Sequence, residues 1–396
     1  MNSWSWNRRI EGPRAQREAA AELLKDCVRD TSSFDPGTAA RLLAQTSPEI
    51  ILALADYHGV TGMVYERLRS LDAAPKPLIA ELRERYAGAV QGHMRVIWEL
   101  AHLQPVLDAT GARWAVIKGP AAVEMLYSGP GQRAYNDLDL LVDPGAFRDV
   151  LTALQASGSE LLDRNWARIR REMLGEVHLL LPGGTPLDLH WNLINMNRGR
   201  MAIDSAEVLE RAARTDLGSV TVGTLESADA VVHLAVHAAI SGGDKLLWLK
   251  DIERAVAVAA PPWETVVERA RRWGVAAPTG LILARAREVL AAPIPAEVPA
   301  QLLGAGSARF VRLVERASPW EFSVGRLTAA SHIVSRNISH GPVGTSLWFV
   351  RRSFRHLDPR EPAASSTFTA RGEDADREAF IDDVVRSRTP TRPVFE

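Results

Sequence analysis

What this chain lacks narrows it first. It has a single cysteine, Cys27, in 396 residues, so no disulfide can close within it. Disulfide frameworks belong to oxidising compartments, and their absence suits a reducing one, which gives the expectation of a cytoplasmic protein. An excess of charge of one sign is also missing. The 47 Lys and Arg nearly balance the 48 Asp and Glu, leaving a formal net charge of −1. No global field therefore draws the chain to nucleic acid or to an acidic membrane surface, and neither partner is expected. Long apolar runs are absent: the strongest stretch, residues 228–240, is interrupted by an acid and two histidines and falls short of a bilayer span. The opening residues 1–9 lack the apolar core of a signal peptide. Tryptophan is plentiful but scattered, without the aromatic and basic interleaving that single-strand binding requires. No internal repeat is evident, and Cys27 reads as a small buried residue.

What is present divides the chain into four parts. Residues 1–110 carry apolar residues at spacings of three and four, the mark of amphipathic helices. They predict helices over 15–28 and 48–69, the second broken at 58–62, and a long helix over 78–107. The pattern changes at Ala112, and residues 111–225 read as a small α/β core. Trp114-Ala115-Val116-Ile117 is a short buried strand between glycines. Pro120 suits the first position of a helix reaching about Tyr127. Residues 137–142 alternate acid and aliphatic as a strand, and Asp143-Pro144 starts another helix with Asp143 as its cap. Residues 176–181 and 186–191 form a hairpin around Pro182-Gly183-Gly184-Thr185. Residues 226–355 are helical again, with Ser227 capping a helix through Ile240 and another over 245–259. The tail, 356–396, is rich in proline and balanced charge, and is expected to be extended or loosely ordered.

The chemistry concentrates in the second part. Asp137 and Asp139 are two apart on one strand, so they share a face while Leu138, Leu140 and Val142 point into the core. Two converging carboxylates repel unless a cation lies between them, and magnesium favours a few carboxylates with substrate phosphate oxygens. Asp188, in Pro186-Leu187-Asp188-Leu189-His190-Trp191, is the third acid if its strand lies beside the first. Three acids suit a pair of ions roughly 3.5–4 Å apart that steady attacking and leaving oxygens. Lys118-Gly119-Pro120 joins a strand to a helix, where Gly119 lets backbone approach a phosphate. Lys118 adds a point charge and Arg133 a planar fork. His190 shares a strand face with Asp188 and could touch phosphate, or orient that acid. Trp191 alternates into the core.

Ile117-Lys118-Gly119, the loop 127–133, Asn136-Asp137-Leu138-Asp139-Leu140-Leu141-Val142 and Leu187-Asp188-Leu189-His190-Trp191 together resemble the uncharacterised bacterial nucleotidyltransferase family of the polymerase-β-like superfamily. The resemblance covers about 111–251. It implies an α+β fold in which a small mixed β-sheet nucleotidyltransferase core is flanked by helical N-terminal and C-terminal regions. It implies an enzyme that moves a nucleoside monophosphate from a nucleoside triphosphate such as ATP to a hydroxyl or similar acceptor, with magnesium (or manganese) as cofactor. Asp137 and Asp139 would bind metal, Asp188 would bind metal or act as general base, and Gly119 would support the triphosphate. The acceptor, whether small molecule, peptide or protein, is not indicated. The chain departs from the superfamily's Gly-Ser pair: Pro120 offers neither hydroxyl nor amide hydrogen. That departure motivates the alternative of a catalytically weakened, nucleotide-binding regulatory or scaffold protein.

Three further features carry weaker signals. His233 and His237 are four apart on a predicted helix, as in zinc proteases, but Leu234 stands where the general-base glutamate belongs. Asp251 faces the same cleft with no role assigned. Arg168, Arg170 and Arg171 read as a solvated helix face.

Overall fold

The structure, a computed structural model, describes residues 10–29, 34–172, 175–194, 203–317, 334–338, 341–347, 367–368 and 374–387. Local signals set the first helices, α1 (Arg14–Val28), α2 (Pro36–Ala44), α3 (Pro48–His58), α4 (Thr61–Leu68) and α5 (Lys76–Asp108). The Ser47 hydroxyl accepts the Ile50 N–H at the start of α3, and Gly59 ends it at φ 70°, a left-handed conformation that side chains resist. The expected break at 58–62 therefore falls on that glycine.

Seven strands follow, interleaved with helices: β1 (Trp114–Val116), α6 (Pro120–Leu126), β2 (Leu138–Val142), α7 (Phe147–Ala156), β3 (Glu160–Leu161), α8 (Trp166–Glu172), β4 (Glu176–Leu180), β5 (Pro186–His190), α9 (Ser205–Glu210), β6 (Ala213–Leu217) and β7 (Val220–Thr224). They form one mixed sheet in the order β3-β4-β5-β2-β1-β7-β6. β2 lies near the middle, parallel to β5 and antiparallel to β1. Helices α10 (Ser227–Ile240), α11 (Leu246–Ala259), α12 (Trp263–Arg272), α13 (Ala276–Leu290) and α14 (Glu297–Ala317) then pack on one another.

The two-residue period of the strands gives the sheet two different faces. Leu138, Leu140 and Val142 of β2, Val177 and Leu179 of β4, and Leu187 and Leu189 of β5 enter one core with α5 and α7. Ala115, Ile117 and Leu141 turn the other way, into a second core built from α1–α4 and α10–α13. The polar residues that alternate with the first set, Asp139, Glu176, His178, Asp188 and His190, thus lie on the sheet face that looks toward the helical halves. Trp191 packs against the first core, edge-on to Phe147 at 5.1 Å.

Several local expectations need correction. β2 begins at Leu138, so Asp137 precedes the strand instead of lying within it. Ser227 is the first helical residue of α10, but the cap is Glu226, whose carboxylate accepts the Asp229 N–H. The hairpin β6–β7 was not foreseen because β6, Ala-Arg-Thr-Asp-Leu, is a mostly exposed edge strand with little apolar content. Within the segment expected to be loosely ordered, Asp374–Arg386 forms a helix. Its Phe380, Ile381 and Val384 are buried in the core behind β2 and β5, a spacing of apolar residues masked by the acids around them.

Candidate active site

Register brings the carboxylates together. Asp139 of β2 pairs directly with Asp188 of β5. On the other side of β5, Asp188 pairs with His178 and His190 with Glu176. Three adjacent strands therefore present a row Asp139–Asp188–His178, with His190 and Glu176 beside it. Among the described residues, Asp139, Asp188 and His190, and again Glu176, His178 and Asp188, have ligating atoms close enough to hold a metal ion.

The groups are crowded and buried. Lys118 Nζ lies 2.7 Å from Asp139 Oδ1, and His190 Nε2 reaches the same oxygen at 3.1 Å. His190 Nδ1 is 3.2 Å from Glu176 Oε2, but out of line for a hydrogen bond. The buried Asp163 accepts both the His178 N–H and Nδ1–H on one oxygen, at 2.8 and 2.9 Å. That leaves His178 Nε2 facing Glu176 at 3.4 Å and Asp188 at 3.9 Å.

Burial would raise every carboxyl here, and partners decide the outcome. Asp139 is held below the usual carboxylate range by the Lys118 ammonium and His190, which overcome its burial. Asp188 has only the His178 ring, 3.9 Å away, to oppose its burial. Burial, then the charges of Glu176 and Asp139, push it up to about 7. Asp137 is raised as well, by burial and by Asp139. Burial would lower His178, but Asp163 and Glu176 override it and push the imidazole up to about 11. The site holds more negative charge than its own cations neutralise.

A hard divalent ion fits this donor set. Oxygens from two strand-paired carboxylates converge, with a third acid just upstream, and burial and neighbouring acids drive Asp137 and Asp188 toward protonation. An open groove of about 870 Å³ between α12 and α14, lined in part by Trp263 and Arg271, contains none of these residues.

Other expected residues are placed differently. Gly119 has φ 53°, and a Cβ there would lie 3.1 Å from the Asp137 carbonyl oxygen. A glycine is thus required by the close pass of the two loops, whatever binds nearby. Arg133 does not extend its fork into the site. Its Nε and Nη2 each lie 2.8 Å from the two oxygens of Asp251, and only Nη1 is buried without a hydrogen-bond partner. Tyr127 donates to the same Asp251 at 2.7 Å, which gives that acid its role. Arg170 pairs with Asp383 of the C-terminal helix, in keeping with a surface face; the side chain of Arg171 lies outside the described residues. Among the described residues His233 and His237 join no group of three metal-ligating side chains. Sequence reasoning missed Glu176, His178 and Asp163. The signal was available, because Glu-Val-His and Asp-Leu-His on the two arms of a hairpin put four polar groups on one face.

The model of a family of uncharacterised nucleotidyltransferases matches residues 45–291, more than half of the chain. The chain belongs to that family. The matched region takes in the whole sheet, with β1–β7, and the helices from α3 to α13, a wider span than the motifs alone suggest. Two solved structures are similar in part. One is an antigenic nucleotidyltransferase-like protein from Paracoccidioides brasiliensis, 15% identical, with 52% of this chain and 95% of that one covered and a TM-score of 0.33. The other is the CCA-adding enzyme of Thermotoga maritima, solved with tRNA, 10% identical, with 79% and 96% covered and a TM-score of 0.20. Neither superposition is close enough to bear on site or substrate. A comparison with curated proteins finds no match. Among the described residues no helix is long and apolar enough to cross a membrane.

Proposed function

We propose that this family member is a magnesium-dependent nucleotidyltransferase, moving a nucleoside monophosphate from a nucleoside triphosphate to a hydroxyl or similar acceptor and releasing pyrophosphate. The observation that carries the reading is the direct pairing of Asp139 with Asp188, with Asp137 one residue before the strand. Asp137, Asp139 and Asp188 hold the ions, and manganese is an alternative to magnesium. When bound, a divalent ion supplies positive charge to the phosphates and to the oxygens of the attacking and leaving groups.

The side chains do the rest. Lys118, paired with Asp139, swings its ammonium between that carboxylate and a phosphate oxygen. His190 fixes the Asp139 oxygen it touches, keeping the carboxylate turned toward the strand pair. Asp188 takes the proton of the attacking hydroxyl on its carboxylate. Arg133 contributes only through Nη1, because Asp251 holds its other two nitrogens. Catalysis in this reading is positioning and charge neutralisation without a covalent enzyme intermediate. The acceptor is a small molecule, a peptide or a protein, and the protein works in the cytoplasm.

A second reading has specific support. Pro120 has no N–H to offer a phosphate, and the Arg133 fork is already filled by Asp251. Both favour a protein that binds nucleotide but transfers it slowly or not at all, acting as a regulator or scaffold. Incubation with each labelled triphosphate and magnesium separates the two. Label transfer or pyrophosphate release that is lost in Asp137→Ala and Asp139→Ala supports the enzyme. Tight binding without release of pyrophosphate supports the regulator.

A further inference from the structure

On the β4 side of Asp188 stand two side chains, Glu176 and His178, that the proposed chemistry leaves idle. Asp188 is the middle of a row, with Asp139 opposite it on β2 and His178 opposite it on β4. The His178 ring is aimed by one partner. The buried Asp163, just after β3, accepts both its backbone N–H and its Nδ1–H, at 2.8 and 2.9 Å. With its hydrogen on Nδ1, the ring turns Nε2 toward Glu176 Oε1, 3.4 Å away, and Asp188 Oδ1, 3.9 Å away. Both separations exceed the roughly 2.7–2.9 Å of a charge-assisted hydrogen bond. The three ligating atoms nevertheless lie within 4.8 Å of one another. A second imidazole closes on the same place. His190 reaches Asp139 through Nε2, while its Nδ1 lies 3.2 Å from Glu176 Oε2, buried and without a hydrogen-bond partner. Buried polar atoms almost always find partners, so this nitrogen calls for one from outside the chain.

We infer that Glu176, His178 and Asp188 form a second cation site, suited to a borderline transition ion such as zinc. It shares Asp188 with the three aspartates proposed above, and it does not depend on nucleotide transfer. The imidazole nitrogen is what distinguishes it. Magnesium keeps to oxygen donors, which the three aspartates supply, whereas one nitrogen with two carboxylates suits zinc. Asp163 completes the arrangement. A carboxylate that holds the far nitrogen of a ligating histidine fixes its tautomer and orientation and makes the ligating nitrogen more basic. An ion bound here replaces any proton on Nε2. The side chains of His178 and Asp188 are 27% and 19% exposed, so the ion can enter from solvent. Three protein ligands leave a fourth position for water, the pattern of catalytic and not of structural zinc.

The test is calorimetric titration of zinc into the full chain, with and without excess magnesium, with metal-free melting temperatures as the check on folding. Wild type should bind one equivalent of zinc that magnesium does not displace. Asp163→Asn keeps an oxygen acceptor for both N–H groups of His178 and removes only the charge, and its zinc affinity should fall about 10–100-fold. His178→Gln removes the ligand itself and should lose at least as much. Asp163→Asn carries the test even where His178→Gln fails to fold. Asp139→Ala should bind zinc as wild type does. Zinc affinity unchanged in folded His178→Gln or in Asp163→Asn overturns the inference. So does equal loss in Asp139→Ala, which would put the ion among Asp139, Asp188 and His190, and so does a wild type that binds no zinc. Pyrophosphate release with magnesium and each triphosphate, measured on the same samples, decides the proposed function separately and leaves this result untouched.

Discussion

Two buried carboxylate clusters lie close to each other in this protein and are built on opposite principles. Around Asp251 the carboxylate is fully met: a guanidinium fork takes both oxygens and the Tyr127 hydroxyl adds a third bond. Around Asp188 the demand is left over, because Asp137, Asp139, Glu176 and Asp188 outnumber the cations that reach them. The Arg133–Asp251 pair ties helix α11 to the loop before β2 and fixes the shape of the cleft. The second cluster is costly to fold and suited to hold a cation. Residue types do not separate the two, since both use aspartate beside a basic group. The ratio of charges does.

The comparison can be broken in order of effect. Asp251→Ala leaves the Arg133 charge buried and unpaired, and should destabilise the fold by about 3–5 kcal/mol in chemical denaturation. Replacing Arg133 and Asp251 together with apolar residues of similar volume should recover most of that loss; failure to recover would mean that the pair does more than neutralise itself. Asp188→Asn should behave oppositely, with pyrophosphate release falling roughly 10²–10³-fold while the metal-free protein melts at the same temperature or higher. A clear drop in its melting temperature would put Asp188 with Asp251 as a structural acid. Magnesium or manganese titrated into wild type should raise the melting temperature, and the rise should vanish in Asp188→Asn. Tyr127→Phe removes one hydrogen bond from the satisfied cluster and should cost about 1 kcal/mol with no change in nucleotide transfer.

Part of this contrast was legible in the sequence. The period of two in Asp-Leu-Asp-Leu and Leu-Asp-Leu-His put Asp139, Asp188 and His190 on a polar face, and turn chemistry around Gly183-Gly184 gave the hairpin of β4 and β5. Pairing between β2 and β5 was only conditional, because parallel neighbours are not joined by a short turn and their register depends on the whole sheet. The Arg133–Asp251 pair spans 118 residues, and no local pattern marks an arginine that will be neutralised from so far away. Arg133 was therefore read as a phosphate ligand, the role an unpaired arginine would have had. Glu176 and His178 went unread for a different reason. Their alternation with Val177 and Leu179 is also the pattern of an ordinary amphipathic strand with one solvated side.

Phe380 sets an order of events during synthesis. Its ring meets Trp166 and Trp191 at 5.3 Å and Phe147 at 6.2 Å, all made long before it on the ribosome. A growing chain can complete the strands that carry the acids while the apolar back of β2 and β5 stays uncovered. That surface is closed only when the C-terminal helix emerges. Until then the nascent protein exposes an aromatic patch of the kind that aggregates or engages chaperones. Arrival of the helix that carries Phe380, and not completion of the sheet, is the step that covers this surface.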